Sequence, residues 1–130
     1  MWNPISQETL SSAQLAYLGD AVLELMTRRH LLQSGVAHVG KLNAMALSYM
    51  RATAQSDAVE RILPHLSEEE TAVYKRGRNA HGVSIPKSAS ASQYRRATGM
   101  EALFGYLYLM GREERLQELF LLAYGLSNEE

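Results

Sequence analysis

Two acidic side chains stand where an amphipathic helix gains nothing from them. Asp20 interrupts Leu15-Ala16-Tyr17-Leu18-Gly19-Asp20-Ala21-Val22-Leu23, and Glu101 interrupts Ala97-Thr98-Gly99-Met100-Glu101-Ala102-Leu103-Phe104. Asp is a poor helix former, and a carboxylate is costly to take out of water. Each acid has a glycine within two residues, Gly19 and Gly99, which lets another backbone or a ligand come close. If the two helices pack together, the carboxyls face each other and offer oxygen donors to a hard divalent cation such as Mg²⁺, whose remaining coordination falls to water and phosphate. The alternative is that each acid lies on the polar edge of its helix or pairs with an arginine such as Arg28 or Arg96. Glu24, one turn beyond Asp20, is either a further ligand or outer acid of that site, or the ion-pair partner of Arg28.

A second constellation is electrostatic. Between Lys75 and Arg96 lie Lys75, Arg76, Arg78, Lys87, Arg95 and Arg96 without one Asp or Glu, a local charge of +6. The whole chain carries 13 Lys+Arg against 14 Asp+Glu, a formal charge of -1, so the remainder is -7. A basic segment in an otherwise acidic chain suits recognition of a phosphate backbone, where Lys and Arg release condensed counterions. Its plainer role is to keep a loop solvated. Aromatics flank the segment only at Tyr74 and Tyr94, which disfavours base stacking on a single strand. Backbone and shape recognition of a duplex fits better.

Other chemistries are excluded by what the chain lacks. There is no Cys, so thiolate nucleophiles, disulfides and thiolate metal sites are ruled out. His30, His38, His65 and His81 show no metal-ligand spacing; His30 and His65 read as structural, and His81 lies among the basic residues. No Gly-x-Ser-x-Gly elbow occurs, and Gly77-Arg78-Asn79-Ala80-His81-Gly82 lacks the Lys of a phosphate-binding P-loop. The opening Met1-Trp2-Asn3-Pro4-Ile5-Ser6 does not read as a signal peptide, and the most apolar run, Ala102 to Met110, is about half a membrane span, so a cytoplasmic protein is expected.

The elements that must position these groups are helical throughout. Leu15, Leu18, Val22, Leu25 and Leu32 recur at helical spacing between a Ser11 or Ser12 cap and a terminating Gly35. A second helix is predicted over about 41–63, closed by Pro64, and a third over about 71–76 behind a capping box of Ser67 and Glu70. Residues 77–92 read as a long basic loop, followed by a helix from about Ser92 to Gly111 and another over about 113–124. Among them no stretch alternates like a strand, so the expected class is all-α, a single-domain helical bundle over 1–130.

Tyr17-Leu18-Gly19-Asp20-Ala21-Val22-Leu23 resembles the signature of the ribonuclease III catalytic domain, and Met100-Glu101-Ala102-Leu103-Phe104-Gly105 its second acidic motif. The match runs in order over about 15–124. With Lys75-Arg76-Gly77-Arg78-Asn79-Ala80 and Tyr94-Arg95-Arg96-Ala97-Thr98-Gly99, and with no room for a following double-stranded-RNA-binding domain, the chain resembles the Mini-ribonuclease III subgroup. The resemblance implies a helical endonuclease domain that dimerises through its signature helix. It further implies Mg²⁺-dependent cleavage of double-stranded RNA to 5′-phosphate and 3′-hydroxyl ends, and maturation of 23S ribosomal RNA precursors, with a large-subunit ribosomal protein as a possible assistant. Asp20 and Glu101 match the catalytic and metal-binding acids, while Lys75, Arg76, Arg78, Lys87, Arg95 and Arg96 would hold RNA. Larger relatives carry further acids where this chain has Ala13, Ala16 and Thr98, which leaves one ion or two open and places Thr98 with Glu24 among the outer residues of the site. Those missing acids are also what a non-catalytic RNA-binding or ribosome-assembly module on the same fold would show, and a helical protein-interaction domain without an RNA role is the third reading.

Overall fold

In the computed structural model, which describes residues 2–80 and 90–126, the first helix starts at a reciprocal cap. The Ser11 hydroxyl accepts from the Gln14 amide at 3.1 Å and the Gln14 side chain accepts from the Ser11 amide at 2.9 Å. Helix α1 then runs Ser12–Leu32, and Gly35 just beyond it takes the left-handed conformation at φ 83°. Five more helices follow: α2 Val39–Met50, α3 Ala52–Ile62, α4 Glu68–Arg78, α5 Ala91–Leu109 and α6 Glu113–Ala123. Short 3₁₀ turns occupy Gln7–Thr9 and Leu63–His65, and among the described residues there is no strand.

Helix α5 is the hub, packing against α1, α4, α3 and α6. From Ala97 to Leu107 every residue except Glu101 is buried, which is how a helix surrounded by others looks. Its closest neighbour is α1. A methyl group at Gly19 would sit 1.6 Å from the Glu101 carbonyl oxygen, and one at Gly105 would sit 2.1 Å from that of Leu15, so the two backbones touch. Helix α4 approaches an adjoining face of α5 in the same way, with Gly77 against Gly99 and Ala102.

The predicted second helix is in fact two. The chain breaks at Arg51, whose extended backbone (φ -62°, ψ 147°) ends α2 and starts α3. The polar stretch after Met50 offers α2 no apolar stripe to continue, whereas a rotated α3 buries Ala58, Val59 and Ile62. Pro64 does not push the residue before it out of helical geometry: Leu63 keeps helical dihedrals (φ -50°, ψ -45°), the proline lies in the opening of a 3₁₀ turn, where its missing N–H costs nothing, and the backbone becomes extended at Leu66 (φ -78°, ψ 142°).

The capping box at Ser67 and Glu70 forms as expected, with bonds of 3.1 and 2.9 Å. Buried Glu70 also receives both Arg115 nitrogens Nε and Nη2 at 2.8 Å, and this guanidinium holds its carboxyl below the usual carboxylate range against the opposing effect of burial. The expected 77–92 loop is shorter, since α4 extends to Arg78 and α5 begins at Ala91 behind a Ser90 cap. His81 and Lys87 lie outside the described residues. His30 does pack structurally, its ring 6.0 Å from that of Tyr49 and 6.1 Å from that of Phe120.

Not every apolar position on α1 faces the core. Leu15, Val22 and Leu23 are buried, but Leu25 and Leu32 are 68% and 65% exposed, and Tyr17 is 85% exposed. At 100° per residue these three lie within an arc of about 80° and make a separate apolar stripe.

Candidate active site

Because Gly19 rests on the carbonyl of residue 101, the residue after it is delivered to the side of α5 where Glu101 breaks the buried run. Asp20 and Glu101 accordingly line one open cavity of about 800 Å³, with their side chains within hydrogen-bonding reach. Burial, then the adjacent Asp20 charge and the contact between the two groups, pushes the Glu101 carboxyl up to about 8. The Tyr94 hydroxyl is raised as well, first by burial and then by the charges of Glu101 and Asp20. A half-buried acid that ionises with difficulty beside a second acid is the arrangement a divalent cation relieves, and both groups offer only oxygen. The donor set therefore fits such an ion. Among the described residues no group of three or more His, Asp or Glu gathers.

Among the described residues neither of these two acids pairs with an arginine. Arg28 pairs with Glu24 at 2.6 Å and Arg96 with Glu60 at 3.0 Å. Glu24 is thus engaged outside the cavity, in its ion-pair role. Thr98 does line the cavity, its hydroxyl donating to the Tyr94 carbonyl at 3.0 Å. So do Ala13 and Ala16, which leaves uncharged side chains at all three positions where larger relatives were expected to carry acids.

The basic residues divide. Lys75, Arg76 and Arg95 are exposed on α4 and α5. Arg78 lies 5.8 Å from the Tyr74 ring centroid and donates to Asn79, and Arg96 is partly held by Glu60 and Ser56. Two cavity residues escaped the sequence reading. Arg51 and Gln55, at the start of α3, form part of the wall with Ala52 and Thr53. The polar break after Met50 was their signal.

The model of the family described as Ribonuclease III domain matches residues 13–112. The chain belongs to the ribonuclease III family. Within it, the chain is 47% identical over 121 residues to a Mini-ribonuclease 3 of Symbiobacterium thermophilum, covering 93% of this chain and 91% of that one. It is 49% identical over 113 residues to a Mini-ribonuclease 3 of Desulfitobacterium hafniense, covering 87% and 71%. These relatives identify the chain as a Mini-ribonuclease 3 family member carrying an endoribonuclease domain. A crystal structure of a Fusobacterium nucleatum protein superposes with a TM-score of 0.79 at 33% identity, covering 86% of this chain and 89% of that one. The all-helical ribonuclease III fold follows, and the paired acids sit inside the matched region.

Proposed function

We propose that the chain is a Mg²⁺-dependent endonuclease that cuts double-stranded RNA at the Asp20–Glu101 cavity. The observation that carries this reading is the convergence of the two acids across the α1–α5 crossing, in a chain of this family. Asp20 and Glu101 would hold the ion, which when bound supplies charge to a phosphodiester under attack and lowers the pKa of water. The protein's part is positional. The glycine crossing fixes both carboxyls on rigid helices, and Tyr94 and Thr98 wall the space around Glu101. Helix α4 brings Lys75 and Arg76 to the surface beside α5, where they can bind the RNA backbones together with Arg78, Lys87, Arg95 and Arg96. The products are 5′-phosphate and 3′-hydroxyl ends, and the substrate in the cell is the 23S ribosomal RNA precursor in the cytoplasm, assisted by a large-subunit ribosomal protein. No helix among the described residues is long and apolar enough to cross a membrane.

The test is incubation of the purified chain with a long RNA duplex and Mg²⁺. Wild type is expected to cut and Asp20→Asn to leave the duplex intact. Cleavage by both, or by neither, would count against the catalytic assignment, and binding without cleavage by either would favour the non-catalytic module.

The stripe of Tyr17, Leu25 and Leu32 supports a homodimer through α1, which would supply one site for each strand of a duplex. Leu25→Asp places a charge in that contact and, being exposed in the monomer, leaves the core alone. Sedimentation is expected to give a dimer for wild type and a folded monomer for Leu25→Asp. A wild-type monomer, or a variant dimer of undiminished stability, would exclude this interface.

A further inference from the structure

Gln55 is 2% exposed, and its Nε2 is the one buried side-chain nitrogen or oxygen among the described residues with no hydrogen-bond partner. Leaving such a donor unpaired costs about 1–3 kcal/mol, and protein interiors rarely accept it without a use. The same side chain lines the cavity of Asp20 and Glu101. One turn earlier, α3 begins without a side-chain cap: Arg51 occupies the cap position and forms no ion pair among the described residues. Arg51, Ala52 and Thr53 also line the cavity, so the first turn of an 11-residue helix opens on it with its amides short of acceptors. A guanidinium, a helix N-terminus and an orphan amide donor on one wall share a single complement, an anionic oxygen.

Resting on the nuclease reading above, we infer that the start of α3, through Arg51, Gln55 and its first-turn amides, binds a phosphodiester of the RNA strand that enters the acid cavity. The two walls then divide the labour. The α1–α5 wall carries the acids, and the α3 wall holds the phosphate against them. Gln55 is a substrate-positioning residue in this assignment: its Nε2, sealed from the cavity in the free protein, makes its unmet hydrogen bond when the amide turns toward bound RNA.

Equilibrium binding of an RNA duplex to the full chain tests this, in an Asp20→Asn background that keeps the RNA intact. Arg51→Gln is expected to reduce the slope of log Kd against log salt by about one, the signature of one lost phosphate contact. Gln55→Met, close in volume and without a donor, is expected to weaken binding roughly 5- to 30-fold with the slope unchanged, as loss of about 1–2 kcal/mol of hydrogen bonding would do. Its melting temperature should hold or rise, because an unpaired buried donor is gone. Parental affinity and slope in both variants would overturn the inference. So would a Gln55→Met variant that loses stability while Arg51→Gln keeps the parental slope, since the amide would then be structural. Arg51 is exposed, and its variant decides the matter even if the core variant folds poorly. If Asp20→Asn cuts RNA as wild type does, the nuclease reading itself fails; if it does not, and the α3 variants behave as their parent, only the phosphate wall is lost.

Discussion

Gly19→Ala is expected to abolish cooperative folding. The added methyl would lie 1.6 Å from the carbonyl oxygen and 2.5 Å from the carbonyl carbon of Glu101, and 2.8 Å from the Gly105 amide nitrogen. All three are backbone atoms of a helix held on several sides, so no side-chain rotation relieves the clash. Relief requires α1 and α5 to separate, which opens the contact on which buried Leu15, Leu23, Leu103 and Leu107 depend. Separating packed helices and leaving voids costs more than about 4 kcal/mol, against a total stability of roughly 5–15 kcal/mol for a domain. Gly40→Ala is the milder control, because the nearest atoms to the new methyl belong to the His38 ring, and moving that ring costs no more than the cap bond it accepts from the Lys41 amide, about 1 kcal/mol, which the better helix propensity of alanine partly offsets. Thermal melting followed by circular dichroism should show a near-native transition for Gly40→Ala and none, or one lowered by tens of degrees, for Gly19→Ala. A Gly19→Ala protein melting within a few degrees of wild type would mean that the helices do not cross at this point.

The same glycine explains why so much of the site was legible in the sequence. A glycine beside an acid inside an apolar helix run is anomalous twice, in propensity and in solvation, and the two anomalies share one cause: the crossing that Gly19 permits is what sets Asp20 against Glu101. Helix ends written in local chemistry were legible too, as the reciprocal caps at Ser11 and Ser67 show. What escaped was set by tertiary packing. Periodicity cannot tell a stripe that meets the core from one left outside, so Leu25 and Leu32 read like Leu15. Nor does it register a break made by one extended residue, so Arg51 vanished inside a longer helix and buried Gln55 drew no notice. The basic cluster shows a related limit. Its sign and position are plain in the sequence, yet the engagement of Arg96 by Glu60, a residue on α3, depends on how α3 and α5 pack.

Glu101→Gln should make the metal-free protein more stable at neutral and alkaline pH while removing nearly all of its activity. The folded state raises the Glu101 carboxyl from an ordinary value of 4.5 to about 8, by burial first and by the Asp20 charge second. An acid raised on folding is most favourable to the fold while protonated. Its contribution is therefore fully present below about 4.5, declines as pH rises, and is lost above about 8. Glutamine is neutral throughout and keeps the same shape, so the variant escapes this decline. A tenfold change in proton affinity corresponds to about 1.4 kcal/mol, and with allowance for the partial exposure of the site the advantage above pH 8 is about 2–4 kcal/mol. If Asp20 and Glu101 hold a divalent cation as proposed, the ion would remove the same penalty by taking the place of the proton, so Mg²⁺ should raise the melting temperature of wild type at pH 8 more than at pH 5, and this pH-dependent gain should be absent in Glu101→Gln. Cleavage of duplex RNA, meanwhile, should fall on the order of 10³-fold, as when a preorganised charge at a reacting centre is removed. Stability gained as turnover is lost is the mark of a residue kept for chemistry rather than for folding. Melting curves from pH 5 to 9, with and without Mg²⁺, measure the first effect and a single-turnover assay the second. Parallel pH profiles for wild type and variant would show that Glu101 meets neither a desolvating pocket nor a second charge, and cleavage within tenfold of wild type would remove it from the reaction.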